Sequence, residues 1–544
     1  LSLVLLVRLP DLPFHWVNWD EGAMMSQAYA MTRGEELYRD IFQIHPLLNI
    51  AIYIPFFAVL SPEWVPHAVK LFNLFLVGAG GILVYRMCRR WSGSETAALI
   101  GAVMFVFTLG RRWALTSFGA FYTIFPILLS VDLLFLRGKP DRKAYAQCGV
   151  LWGLAVFMKQ VAVFDIAALL LCLLILQRRS LSDFRTAALF SLLGFSAVTG
   201  VVALYFLSRG TLIDALQASV LRPIFGYAQA WPAQPGDFVQ ARKGLLEQAL
   251  QQIYITFPLP LFAMVCGLGR ALLEGAARRG IFPEDPGSEN DDRARAFFWI
   301  LLVWMGADLL GILFIGRFYP NYLLAMVPGL CLAAVYWAAG LGERPLRSLA
   351  AGILLVLFGI AIFQFARSVK EGGWMPYKVR RSKAIAAHIA SHTREEERIF
   401  LFQYAGTDVF YLSERLSNNG VYLWIDMCDG HIKDTAAAES LREKFLRNLP
   451  TLIVTEAKGG VPRGCELMKD FMEKVLAGSY ERAATLYDAN IFMLRKESVD
   501  AHLPETEEPQ FLAPSLSSVE IASSTACATT RYPSAVKCPF GRRT

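Results

Sequence analysis

Residues 1–367 are a succession of long apolar runs separated by short charged segments, and no other feature constrains the fold as much. A run of about 20 apolar residues can cross a bilayer as a helix, because a helix satisfies its own backbone polar groups away from water. After an opening run at 1–12, such runs lie at about 68–86, 95–110, 118–136, 144–158, 161–177, 186–207, 252–272, 297–315, 321–340 and 347–366. The expected architecture is therefore a polytopic α-helical membrane protein of about 11 spans. Residues 144–177 leave open a hairpin or one long helix. The chain begins with Leu, so residues 1–12 are expected to be the end of a first spanning helix whose start is missing.

The run Leu47–Leu60 is short and holds Pro55, which suits a helix lying in the interface. Leaving it out of the count puts seventeen basic residues in one set of loops (Arg86 to Arg90, Arg137 to Lys143, Arg178 to Arg185, Arg270 to Arg295, Arg344 and Arg347). Ten fall in the other set, which has the longer loops. The positive-inside rule then makes the first set cytoplasmic. The net charge of +7 is spent on topology in this way, which argues against a nucleic-acid partner. The nine cysteines are scattered without metal-ligand or disulfide spacing.

Three parts follow: a membrane domain over 1–367 with a first outer loop at 13–66, a domain over 368–500, and a tail over 501–544. The second part reads as a small extracytoplasmic α/β domain. "VRRSKAIAAHIASH" and "AAAESLREKFLRNL" have helical periodicity, and "RIFLFQ", "GVYLWI", "TLIVTE" and "ANIFMLRK" read as strands. No Gly-rich loop precedes a helix, so a nucleotide site is not supported. The tail is rich in Ser, Thr, Pro and Ala without apolar periodicity, and it is expected to be disordered.

The polar chemistry concentrates in "WDEGAMMSQAYAMTRGEELYRDIFQIHPLLN", residues 19–49, on the outer side of the expected topology. Asp20 and Glu21 are adjacent there, followed by Arg39, Asp40 and His45. An acid pair ahead of a helix also suits a helix cap with a first-turn Glu. His388 and His392, at i and i+4, lack a third ligand and read as a solvated helix face. Asp132, Asp165 and Asp308 fall inside apolar runs, where helix–helix hydrogen bonding is the plain alternative to a functional role.

Three segments in order resemble the multi-spanning glycosyltransferases of the GT-C class, and glycosyltransferase family 39 with its bacterial relatives in particular. These relatives include protein O-mannosyltransferases, aminoarabinose transferases and rhizobial lipopolysaccharide transferases. The first segment is Asp20-Glu21, the helix around Tyr29, Gly34, Tyr38-Arg39-Asp40-Ile41-Phe42 and His45-Pro46-Leu47. The others are "GLAVFMKQVAVFDIAALLL" (153–171) and "GRFYPNYLLAMVPGL" (316–330). Two positions depart from the pattern: many relatives have Lys-Pro-Pro around His45-Pro46, and many have His where this chain has Asn321.

The resemblance implies transfer of a sugar, with inversion, from a polyprenyl-phosphate donor to a hydroxyl of a glycan, lipid or protein acceptor at the outer face of the cytoplasmic membrane. An attacking hydroxyl needs a base in hydrogen-bond reach, a part given to Asp20. Glu21 would orient Asp20 or the acceptor, with Asp40 as the second candidate. The departing phosphate gains charge, which fixed cations stabilise. Lys159 and Arg317 fall at outer ends of spans and suit that task, with Arg39, Tyr319, Asn321 and Tyr322 as further donor contacts. Interface snorkelling and the aromatic belt are the ordinary alternatives for these side chains. No cofactor is required. Adjacent carboxylates would also suit a divalent ion, though no fuller ligand set is visible. Two rival readings are a transporter or flippase of lipid-linked glycans and an inactive family member acting as an assembly partner. Against the transporter, the chain has no convincing internal repeat.

Overall fold

The computed structural model describes residues 18–110, 118–177, 180–223, 264–270, 289–315, 322–341, 343–372, 377–402, 406–423, 435–456 and 466–495. Leu1–Arg495 form one compact unit and Lys496–Thr544 a second, which contains no described residue. The expected opening span, most of the 252–272 span and the 501–544 tail lie outside the described residues.

The chain opens with α1 (Trp19–Thr32), then the short helices α2 (Leu48–Ala51) and α3 (Ile54–Val59). Together α2 and α3 are too short to cross a bilayer, because Pro55 removes a backbone donor and breaks the run. The membrane helices follow as α4 (Val65–Ser92), α5 (Glu95–Leu109), α6 (Phe118–Val131), α7 (Arg142–Met158), α8 (Ala162–Leu176) and α9 (Leu181–Ser208). After α10 (Leu212–Leu216) come α11 (Glu289–Ile315), α12 (Met326–Ala339) and α13 (Glu343–Gly372). Among the described residues five helical stretches are long and apolar enough to span: Val65–Ser92, Gly119–Leu136, Leu181–Ser208, Ala296–Phe314 and Tyr322–Ala339.

Helix ends carry their sequence signals. The α4 chain stops at Gly93, whose φ of 67° allows the left-handed turn, with Arg89 and Arg90 in the last turn. Ser94, Asp141 and Ser180 cap α5, α7 and α9 through their side-chain oxygens. The outward face of α9, with Leu189, Leu192, Leu193, Val201, Leu204 and Leu207 exposed, is a lipid-facing stripe. Its other face packs tightly on α7. A Cβ at Gly149 would lie 1.9 Å from the Ser191 carbonyl oxygen, and one at Gly194 would lie 2.1 Å from that of Ala146. Small residues at this crossing let the backbones touch, which substitutes for a hydrophobic drive that lipid cannot supply.

The question at 144–177 resolves as two helices. The chain breaks at Lys159, which adopts an extended conformation (φ −156°, ψ 123°) between α7 and α8. The charged loops sort into two ends. At one, Asp132 is fully buried and held by Arg90 and by Arg137 at 2.6 Å, while Lys139 meets Asp183 at 3.1 Å. At the other, Arg209 pairs with Glu36 at 3.0 Å and Arg39 donates to the Gly210 carbonyl at 2.8 Å. Asp132 is thus a structural staple between helices.

The remaining lobe holds α14 (Tyr377–His392), β1 (Ile399–Phe402), α15 (Val409–Ser413), α16 (Thr435–Arg447), β2 (Leu452–Glu456), α17 (Glu466–Ser479), β3 (Tyr480–Leu486) and β4 (Ala489–Leu494). The sheet order is β1-β2-β4-β3, with β1 parallel to β2 and the other pairs antiparallel. One strand expectation needs correcting, and one strand was not expected. The described part of "GVYLWI", Gly420–Leu423, is irregular: its groups bond the first loop, with Phe42 N–H donating to the Gly420 oxygen at 3.0 Å. Conversely "YERAATL" is an edge strand whose mostly exposed, polar pattern hid it.

This lobe sits on α1. Ser26 Oγ donates to the Thr407 carbonyl and Thr407 Oγ1 to that of Trp19, each at 2.6 Å. Glu35 is clamped by Arg398 and by the Tyr422 hydroxyl at 2.9 Å, and Arg33 pairs with Glu395. The lobe and the first loop therefore share one side of the membrane.

Candidate active site

The N-cap of α1 is Asn18, so Asp20 and Glu21 stand in the first turn and neither is the cap. Their charges favour that end of the helix dipole. Glu21 occupies the third helical position, and its carboxylate accepts a hydrogen bond from the Asn18 backbone N–H, one half of a capping box. Its Oε2 nevertheless has no hydrogen-bond partner among the described residues, and the residue is 1% exposed. Burial pushes its carboxyl up to about 8, against the pull of the buried Lys70 on α4.

Asp20 differs in kind. It is half-buried and makes no hydrogen bond or ion pair among the described residues. Burial alone raises its carboxyl to about 6. A carboxylate with no structural partner, and more basic than usual, is what proton abstraction near neutral pH requires.

Aromatic hydroxyls surround the pair. Tyr53, Tyr122 and Tyr411 lie close enough to feel the charge of Glu21. Tyr122 donates to Asn73 Oδ1 at 2.8 Å, and its ring meets that of Tyr53 edge-on at 6.4 Å. Lys70 and these tyrosines were missed in the sequence. Lys70 sits within the first turns of an apolar run, where it reads as a snorkelling residue. Only the tertiary fold brings its charge within reach of Glu21.

Asp40 stands apart from the acid pair. Its Oδ2 accepts from the Glu36 N–H at 2.9 Å, closing a tight turn that includes Tyr38 at φ 71°. Arg39 donates to the carbonyls of Arg209 and Gly210 and so ties two loops together.

Lys159 lies at the α7–α8 break with its Nζ 4.0 Å above the Tyr322 ring. Burial pushes its ammonium down to about 7, and Asp165 pulls the other way. A bound anion would restore the charge. His45 is close enough to feel Lys159; burial first, then that charge, lower its imidazole to about 4, so it is neutral. Gln160 bonds the Ile44 and Ser219 carbonyls at 2.9 and 3.0 Å, which fixes this corner to the first loop. Below it, a cavity of about 20 Å³ is lined by Lys159, Tyr322, Asp165 and Asp308, and Trp304 Nε1 donates to Asp165 at 2.7 Å. Arg317, Tyr319 and Asn321 lie outside the described residues. No group of three or more His, Cys, Asp or Glu side chains suited to a metal occurs among the described residues.

These parts define a multi-pass helical membrane protein with an α/β lobe seated on an acid-bearing juxtamembrane helix, a fold that resembles the GT-C glycosyltransferases. Among solved structures it is similar to ArnT from Cupriavidus metallidurans bound to undecaprenyl phosphate. That match has a TM-score of 0.56 at 12% identity and covers 90% of this chain and 96% of that one. ArnT in the apo state gives a TM-score of 0.55 at 12% identity, over 87% and 92% of the two chains. At this identity the likeness is one of fold. No family model matches the sequence, and no curated protein matches it.

Proposed function

We infer that the protein is an inverting glycosyltransferase that moves a sugar from a polyprenyl-phosphate donor to an acceptor hydroxyl at the outer face of the cytoplasmic membrane. The observation that carries this reading is Asp20, a half-buried carboxylate with no partner of its own among the described residues, beside the buried Glu21. It stands in a fold that matches a structure of ArnT bound to undecaprenyl phosphate. Asp20 takes the acceptor proton as the hydroxyl attacks the anomeric carbon. The sugar–phosphate bond breaks in the same displacement, so no covalent glycosyl-enzyme forms. Glu21 beside Asp20 orients the acceptor, and Lys159 meets the phosphate that gains charge on leaving.

The test is donor dependence. Purified full-length protein in lipid nanodiscs should transfer label from a polyprenyl-phosphate sugar and ignore soluble nucleotide sugars. Transfer from a nucleotide sugar alone would overturn this reading. Silence with every polyprenyl donor, on a folded protein, would favour the inactive assembly partner instead.

Topology offers a second check. A periplasmic-type reporter fused after Arg367 should be active only outside, because the lobe and the acid helix share a side. Activity of a cytoplasmic reporter at that junction would place Asp20 on the wrong face for a lipid-linked donor presented outside.

A further inference from the structure

Asp165 on α8 and Asp308 on α11 are 4% and 5% exposed, inside apolar helices where an acid is costly. Trp304, Asp308, Gly311 and Ile312 recur at helical spacing and share one face of α11. Gly311 lets that face close on α8, since a Cβ there would lie 3.2 Å from the Phe164 ring. The result is a direct contact of two carboxyls. Asp165 is hydrogen-bonded to Asp308 and also accepts from Trp304 Nε1 at 2.7 Å.

Two carboxyls in hydrogen-bond contact must share a proton, because like charges so close cannot both ionise. The partners say which acid holds it. Asp165 takes the indole N–H, as a carboxylate does, while no N–H reaches Asp308 Oδ2 among the described residues. Asp308 is therefore the protonated member and donates to Asp165. The pair carries one negative charge, and Lys159, which lines the same small cavity, supplies the positive one. Lys159 Nζ makes no ion pair or hydrogen bond among the described residues, only its contact with the Tyr322 ring. The charge of Asp165 acts on it without occupying an N–H donor. The other groups nearby carry no charge: Thr123 donates its hydroxyl to the Gly119 carbonyl, and His45 on the first loop is neutral.

We propose that Asp165 and Asp308 are a positioning pair for the donor phosphate. Sharing one proton, they supply the counter-charge that keeps Lys159 an ammonium and leave its three N–H groups to the ligand. A second ionised acid would compete with the phosphate, and the proton on Asp308 prevents that. The proposal rests on the transferase reading in calling the ligand a donor; the protonation pattern does not. The sign follows from Lys159. Burial lowers its ammonium to about 7 and Asp165 opposes this. Without Asp165 the proton is lost at lower pH, so anion binding fails earlier as pH rises.

The experiment measures binding of undecaprenyl phosphate, with undecaprenol as the uncharged control, to the full chain in nanodiscs at mildly acid and mildly alkaline pH. Relative to wild type at the same pH, Asp165→Asn should weaken phosphate binding at least about tenfold on the alkaline side, the scale of losing one close counter-charge. On the acid side the loss should be much smaller. Asp308→Leu, which cannot donate to Asp165, should do the same, and Asp308→Asn, which still donates, should restore most of the affinity. Binding of undecaprenol should be indifferent to all three. Infrared difference spectra between wild type and Asp308→Asn should show a protonated carboxyl that the variant lacks, and thermal melts check each fold. A loss that is equal at both pH values and shared by Asp165→Asn and Asp308→Asn would mean a plain helix staple and overturn the proposal. Wild-type affinity in Asp165→Asn, or absence of the protonated carboxyl, would overturn it too. The expected pattern in a protein that transfers no sugar would sink the transferase reading and leave the pair intact.

Discussion

Asp20→Asn should lower turnover by ~10²–10⁴-fold, the usual cost of removing a general base, while donor affinity and membrane insertion persist. The substitution keeps shape and hydrogen-bonding capacity and removes only basicity. A capping role cannot mimic this loss, since the cap is Asn18 and Asp20 makes no hydrogen bond among the described residues. The pH profile gives an independent reading. With the Asp20 carboxyl raised to about 6, the active form is the deprotonated one. Activity of the wild type should therefore climb as pH rises through about 6 and then level, and the variant should lose that limb. Stability runs in the opposite sense. Glu21 is raised from 4.5 to about 8, so the stability it contributes is full below 4.5 and is lost as pH rises through 8. Near-normal turnover of Asp20→Asn in a donor-saturated assay at matched protein level would remove Asp20 from the mechanism.

Gly420→Val should be the most damaging change in the seam between the lobe and the acid loop. Gly420 has φ +77°, and a Cβ there would lie 1.7 Å from the Asp40 carbonyl oxygen. The left-handed conformation costs a residue with a Cβ about 1–2 kcal/mol. The clash is with backbone on both sides and cannot be relieved by a side-chain rotation, so overpacking of about 1–3 kcal/mol adds to it. The Phe42–Gly420 hydrogen bond must also break for the segments to part. Gly34→Val is the matched control, because Gly34 has φ +94° with open space around its position and carries only the conformational cost. Thermal melts and limited proteolysis of the lobe should rank the two variants with Gly420→Val far below Gly34→Val. Equal melting temperatures would mean that the lobe does not depend on this contact.

How much was legible beforehand follows from which forces are local. Apolar length marks out the membrane helices, because a chain in a bilayer must satisfy its own backbone groups. The break at Pro55 and the capping residues Ser94, Asp141 and Ser180 act within a turn or two of themselves. The acid pair stood out because adjacent carboxylates are conspicuous in a greasy chain. Tertiary structure alone decided the rest. Among the described residues it brings the charge of Lys70 within reach of Glu21, leaves Asp20 without a partner and moves Asp40 into a turn facing the lobe. It also places Lys159 over Tyr322. Each of these joins residues that are distant in sequence or on different elements, and nothing in composition or periodicity encodes such a pairing. "GVYLWI" has a strand's pattern, yet Gly420 and Tyr422 are drawn onto the first loop by Phe42 and Glu35. There a hydrogen-bonding partner nearly four hundred residues away outweighs local propensity.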